Sequence, residues 1–135
     1  MAKRLIFDGQ IAVADAEYIH GIEVEGDDVE TELDDLDERV TDRPALQLTL
    51  DYPFEKPFHG EVRGEDGVTL RQIIDAIRAA YRTMYEGAVA EPMADLDNMR
   101  VRGPYGEALH VIDDLVIESI VLDDEGGRLQ VFVGS

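Results

Sequence analysis

Three histidines, His20, His59 and His110, and the carboxylates near them are the residues of this chain best placed to do chemistry. His110 stands in Tyr105-Gly106-Glu107-Ala108-Leu109-His110-Val111-Ile112-Asp113-Asp114, just ahead of an apolar run. An imidazole beside a carboxylate is what a general base needs, because the negative neighbour favours the protonated ring and moves its pKa toward working pH. His110 with Asp113 or Asp114, its pocket lined by Tyr81, Tyr85 or Tyr105, is therefore the candidate catalytic centre of a small hydrolase or isomerase-like enzyme. The plainer alternative is that His110 bridges loop backbone while Asp113-Asp114 turns the chain into a strand. Ser119 adds little, since it lies inside that strand without the glycine elbow that exposes a nucleophilic serine.

Metal and cofactor chemistry find less support. No two histidines share an element at ligand spacing, and the chain has no cysteine, which excludes thiolate metal sites, disulfides and cysteine nucleophiles together. Asp34-Asp35-Leu36-Asp37-Glu38 and Asp95-Leu96-Asp97-Asn98 offer hard oxygen ligands, but neither has the glycine and glutamate positions of a twelve-residue calcium loop. Gly60, Gly64 and Gly67 do not fall at phosphate-loop spacing and bring no lysine. No metal and no cofactor are expected. A binding surface is better supported: Arg71, Arg78 and Arg82 recur at i, i+7 and i+11. Arg78 and Arg82, with Tyr85 and Tyr105, make a candidate site for an anionic ligand or for an acidic patch on a second copy. Arg100 and Arg102 form a further basic pair. Pairing of Asp75 with Arg71 or Arg78 along the helix is the competing structural role.

The setting of these arginines is strongly acidic. The chain has 31 Asp and Glu against 12 Lys and Arg, a formal net charge of −19, and Lys3 and Lys56 are its only lysines. By 45-residue thirds, acids and bases number 14 and 4, 7 and 5, and 10 and 3, so the excess belongs to the folded body and not to a tail. Self-repulsion of this size opposes compaction, which points to a solvent or a partner that offsets it. Carboxylates hold water and cations close while exposing little alkyl stem, whereas lysine adds a long one, so acid excess with few lysines is the composition of adaptation to high salt. A basic protein partner is the alternative, with the acidic body mimicking nucleic acid. Direct binding to a phosphate backbone is disfavoured by the charge.

The elements that must position these side chains can be read from periodicity. Leu70, Ile73, Ile74, Ile77, Tyr81, Met84 and Tyr85 recur at three- and four-residue steps, predicting an amphipathic helix over about 68–86 with Arg71, Asp75, Arg78 and Arg82 on its polar side. Thr69 with Gln72 reads as a capping box, and Gly87 as the left-handed stop. Leu46, Leu48, Leu50 and Tyr52 alternate with polar residues, predicting a strand over 45–52 with one face in water. The run over 115–122 is apolar on both faces and reads as an inner strand covered on both sides. Asp123 to Gly127 then turns the chain into a strand over 128–133. Around Asp8-Gly9, residues 4–7 and 10–14 read as two short strands, with a third over 18–24. Val29, Leu33, Leu36 and Val40 leave residues 25–43 open between a thin helix and a loop, and Pro92 reads as the first turn of a short helix over 91–99.

With 44% hydrophobic residues, 135 residues make one core-forming domain, 1–135. The expected fold is α+β, a mostly antiparallel sheet of about five or six strands with the long helix on one face and a second copy or shorter helices on the other. A homodimer follows from that second face. The opening residues are too short in apolar length for a signal peptide and no run reaches a membrane span, so a cytoplasmic, non-membrane protein is expected. In function, a non-enzymatic binding or interaction module adapted to high salt is favoured, with the His110 enzyme and the nucleic-acid mimic as alternatives.

Overall fold

The computed structural model describes residues 3–13, 36–92, 99–112 and 115–134. In chain order the elements are β1 (Lys3–Ala12), β2 (Arg39–Thr41), β3 (Ala45–Leu50), β4 (Phe58–Arg63), β5 (Val68–Thr69), α1 (Leu70–Tyr85), β6 (Val89–Pro92), β7 (Met99–Gly103), β8 (Gly106–Ala108), β9 (Val116–Asp123) and β10 (Arg128–Gly134). Among the described residues this is a mixed fold in which sheet dominates and α1 is the helix.

The helix forms where its spacing predicts. Thr69 is the N-cap: Gln72 donates its backbone N–H to Thr69 Oγ1 at 3.2 Å, and Thr69 donates its own to Gln72 Oε1 at 2.8 Å. Two donors that would otherwise be orphaned at the helix start are thereby satisfied. At the far end the Glu86 N–H reaches back to the Arg82 carbonyl and Gly87 follows at φ 76°, which an L side chain rarely adopts. Leu70, Ile73, Ile74, Ile77, Ala80, Tyr81 and Met84 are all buried. Ala76, Ala79, Ala80 and Thr83 of the helix line a hollow with Leu48, Phe58 and Gly60, so this small-residue side of α1 is turned toward the β3–β4 end of the sheet, with β4 as its neighbour.

The strands make three sheets and not one. The largest runs β1-β9-β10-β3-β4, with β2-β5 and β6-β7-β8 separate. All pairs in the large sheet are antiparallel except β10 with β3, which run parallel over Arg128–Gln130 and Gln47–Thr49. The hairpin from β9 to β10 and the alternation of β3, with Leu46, Leu48 and Leu50 buried, follow their sequence patterns.

Two expectations are corrected by one irregularity. Instead of two short strands around an Asp8-Gly9 turn, β1 is a single strand: Asp8 pairs Ser119 and Ile11 pairs Ile117, so Gly9 and Gln10 together oppose Glu118. On the other side of β9, Phe132 pairs Ser119 and Val133 pairs Ile117, so against β10 Glu118 is itself the extra, bulged residue. A bulge shifts the phase of a strand by one residue. Ile117 therefore shares the buried face with Ile120 and Leu122, while Val116, Ser119 and Val121 are half-buried. The run looks apolar on both faces because it changes phase; β9 is an inner strand by neighbours, with one face in the core.

Residues 18–24 and the proposed helical positions Val29 and Leu33 lie outside the described residues, as does most of 91–99. Pro92 ends β6, opposite Met99 of β7, in place of opening a helix. Leu36 is buried, and its carbonyl accepts the Arg71 N–H at 2.9 Å, which fastens residues 36–41 along the start of α1. No described helix is long and apolar enough to cross a membrane.

The capping box predicts a specific cost: Thr69→Ala should lower stability by about 1 kcal/mol. Urea unfolding would measure it, and an unchanged midpoint would mean that the Leu36 contact alone holds the helix start.

Candidate functional site

The catalytic candidates come only partly together. His110 is half-buried in the segment after β8, and its carbonyl accepts the Tyr85 hydroxyl at 2.7 Å. Tyr85 is held for this by Phe54, whose ring meets it edge-on at a centroid distance of 4.7 Å. The bond fixes the backbone at His110 to the end of α1; it does not engage the imidazole. Asp113 and Asp114 lie outside the described residues. Tyr105 sits in the β7–β8 turn against Phe58, with ring centroids 6.1 Å apart, and its carbonyl accepts the Lys56 N–H. Tyr81 is buried and donates its hydroxyl to the Tyr52 carbonyl at 2.6 Å; burial pushes its phenol pKa upward, with Tyr85 and Asp51 adding to the effect. A phenol so placed stays protonated and holds the 52–54 loop to the helix.

His59 pairs across strands with Thr49, whose Oγ1 lies 3.2 Å from Nδ1 on the solvent face of the large sheet. His20, Asp34-Asp35 and the Asp95–Asn98 cluster fall outside the described residues. Among the described residues no three His, Asp or Glu side chains are grouped as a metal would require.

The arginine stripe on α1 does not exist as a surface. Arg78 is 1% exposed, the one buried charged residue among those described, and lies beside Ile74, Ile77 and Tyr81 on the core side. The helical wheel places it at the edge of the apolar stripe, and a long aliphatic stem lets an arginine cross that edge inward. Arg71 is engaged by Asp37, donating through Nε at 2.6 Å and Nη2 at 3.2 Å. Those hydrogen bonds hold the Asp37 carboxyl below the usual carboxylate range. The partner is thus 34 residues away in sequence, where the spacing had pointed to Asp75. Arg82 is exposed. Arg100 and Arg102 flank Glu107 on β8, with Nε to carboxylate distances of 3.3 and 3.5 Å, so one acid is shared between two cations.

A different set of arginines converges. Arg4 of β1, Arg39 of β2 and Arg43 of the β2–β3 turn wall a hollow of about 450 Å³ together with Thr41, Asp42 and Asp124. Each guanidinium is oriented by backbone carbonyls. Arg4 Nη2 donates to Val40, Arg39 Nη1 to Asp66, and Arg43 donates through Nε to Asp124 and through Nη2 to Glu125 at 2.7 Å. Arg4 also lies 3.4 Å from the Asp124 carboxylate, and Arg39 3.8 Å from that of Asp42. Among the described residues no carboxylate lies in ion-pair range of Arg43. Carbonyls orient its planar fork without cancelling its charge. Gly127, at φ 64°, makes this approach feasible, since a Cβ there would stand 3.0 Å from Arg43 Nη1.

Sequence reasoning missed this cluster because Arg4 lies far in sequence from Arg39 and Arg43, and the three meet through long-range contacts: Arg4 with Val40 and Asp124, Arg39 with Asp66, and Arg43 with the β9–β10 hairpin. Arg43 just before Pro44 and β3 was the one available signal, and a weak one. The molecule is therefore a mixed α/β protein with a cationic hollow at one end of its main sheet. No protein-family model, no curated protein and no solved structure matches the chain.

The two α1 arginines make opposite predictions under charge reversal. Arg78→Glu places a carboxylate in the core and should cost several kcal/mol, enough to leave the chain largely unfolded. Arg82→Glu on the exposed side should stay within about 0.5 kcal/mol of the parent. Circular dichroism with urea titration separates them; equal effects would contradict the burial of Arg78.

Proposed function

We propose that this chain is a non-enzymatic binding module working in a salt-rich solvent, and that its ligand presents an oxyanion to Arg4, Arg39 and Arg43. The observation that carries this reading is Arg43, a guanidinium aimed by two backbone carbonyls beside a hollow whose two carboxylates, Asp42 and Asp124, lie in range of Arg39 and Arg4 and outside ion-pair range of Arg43. With 31 acids against 12 bases, the chain has carboxylates enough to neutralise every arginine. Leaving one oriented and unneutralised beside two others is what recognition of a carboxylate or phosphate requires, because planar guanidinium groups present paired N–H donors to such anions. The acidic remainder of the body supports the solvent reading, and it also disfavours loose association of anions anywhere else on the surface.

The test is calorimetric titration of inorganic phosphate at fixed KCl. Hydrogen bonds to charged groups contribute about 1.5–3 kcal/mol, so Arg43→Glu should weaken binding roughly 10- to 100-fold. Arg39→Gln, which keeps hydrogen-bond donors while removing charge, should fall between, and Arg82→Glu should bind as the parent does. Failure of the parent to bind phosphate, or equal binding by Arg43→Glu, would overturn the proposal.

A further inference from the structure

The cationic hollow does not end at the arginines. A second hollow of about 270 Å³ adjoins it, and Arg4, Arg39 and Val40 belong to the walls of both. The remaining wall of the second is contributed by Leu5, Ile6 and Leu70, with Glu38. Ile6 and Val40 are half-buried against the core, Leu70 is buried, and Leu5 is 58% exposed, among the most exposed large apolar residues described. The Arg4 bond to the Val40 carbonyl marks the junction. One side of that junction is thus cationic, and the other adds aliphatic surface from Leu5, Ile6 and Val40 beside the charged Glu38.

Resting on the anion-binding reading above, we infer that the ligand is a single-headed amphiphile: a carboxylate or phosphate carried on an aliphatic tail. The head sits among Arg4, Arg39 and Arg43, and the tail lies over Leu5, Ile6, Val40 and Leu70. The two hollows together fall in the size range of small-molecule sites, which pair apolar walls with a few convergent polar groups. Glu38 on the second hollow disfavours a negative charge at that end, so the charge is confined to one end of the ligand. The solvent reasoning agrees. At about 1 M salt the Debye length is about 3 Å, so attraction at a distance is lost while contact hydrogen bonds and apolar burial persist. A site that combines an oriented guanidinium with an aliphatic wall keeps its selectivity there, and one relying on long-range charge does not.

The experiment is a chain-length series, acetate, butyrate, hexanoate and octanoate, titrated into the full-length chain at fixed KCl, with inorganic phosphate and octyl phosphate alongside. Burying one methylene is worth up to about fourfold in affinity. Binding should tighten by up to that factor per methylene until the hollow is filled, and octyl phosphate should exceed inorganic phosphate by a similar margin. Octanoate against octyl phosphate reports which head group is preferred. Leu5→Asp, at an exposed position that does not threaten the core, should flatten the series. A flat series in the parent, with phosphate binding intact and sensitive to Arg43→Glu, would overturn the amphiphile and leave the anion site standing. A parent that binds neither phosphate nor any carboxylate would remove both. A steep series unchanged by Leu5→Asp or by Arg43→Glu would place the tail elsewhere and likewise overturn it.

Discussion

Mutual repulsion among the carboxylates is the constraint on which the rest of this molecule depends. With 31 acids and 12 bases in 135 residues, compaction brings like charges together, and the folded state persists only if apolar burial outweighs that cost. The core shows how it does so. The aliphatic stripe of α1 packs with Leu46, Leu48 and Leu50 of β3, Ile117, Ile120 and Leu122 of β9, and Phe7 and Ile11 of β1 in one continuous cluster. Each such side chain contributes roughly 1.5–3 kcal/mol when fully buried. The phase shift at Glu118 belongs to the same economy of space: it turns Ile117 inward alongside Ile120 and leaves the carboxylate in solvent.

Arginine supplies ten of the twelve basic residues, and the structure places five of them where a cation does more than neutralise. Arg4, Arg39 and Arg43 donate to backbone carbonyls that join β1, the β4–β5 turn and the β9–β10 hairpin to the β2 region. Arg71 pulls Asp37 onto the start of α1, and Arg78 is built into the core. The cationic hollow is a consequence of this stitching. The three guanidinium groups oriented toward carbonyls at one end of the sheet line one hollow, with Asp42 and Asp124 beside them. The structural role and the proposed binding role thus share one arrangement, in which preorganised donors lose little freedom when an anion arrives.

What could be read in advance depended on how local the determining interaction is. The helix was legible in start, face and stop, because Thr69, Gln72, the three- and four-residue spacing and Gly87 all act within one element. The β9–β10 hairpin was legible for the same reason. Division into three sheets was not, since short strands such as β2 and β5 are defined by their partners more than by their own residues. Asp8-Gly9 looked like a turn because those residue types make turns, yet the pairing of Phe7 and Ile11 with β9 carries the strand through them. Arg78 misled because a helical wheel assigns a side by angle and takes no account of how far a stem can reach. The Arg4–Arg39–Arg43 cluster was invisible for a topological reason: Arg4 reaches the β2 region only through long-range contacts with Val40 and with the hairpin that also holds Arg43.

The unfolding midpoint as a function of KCl, from tens of millimolar to several molar, tests the central claim that the acidic body is adapted to salt. Simple screening of surface charge is nearly complete by about 1 M, where the Debye length is about 3 Å. We expect the midpoint to keep rising well beyond that concentration, because water and cations gathered by the carboxylate surface continue to stabilise the compact state. A midpoint that levels off far below 1 M would contradict the claim, and would indicate that the carboxylates were selected to meet a cationic partner.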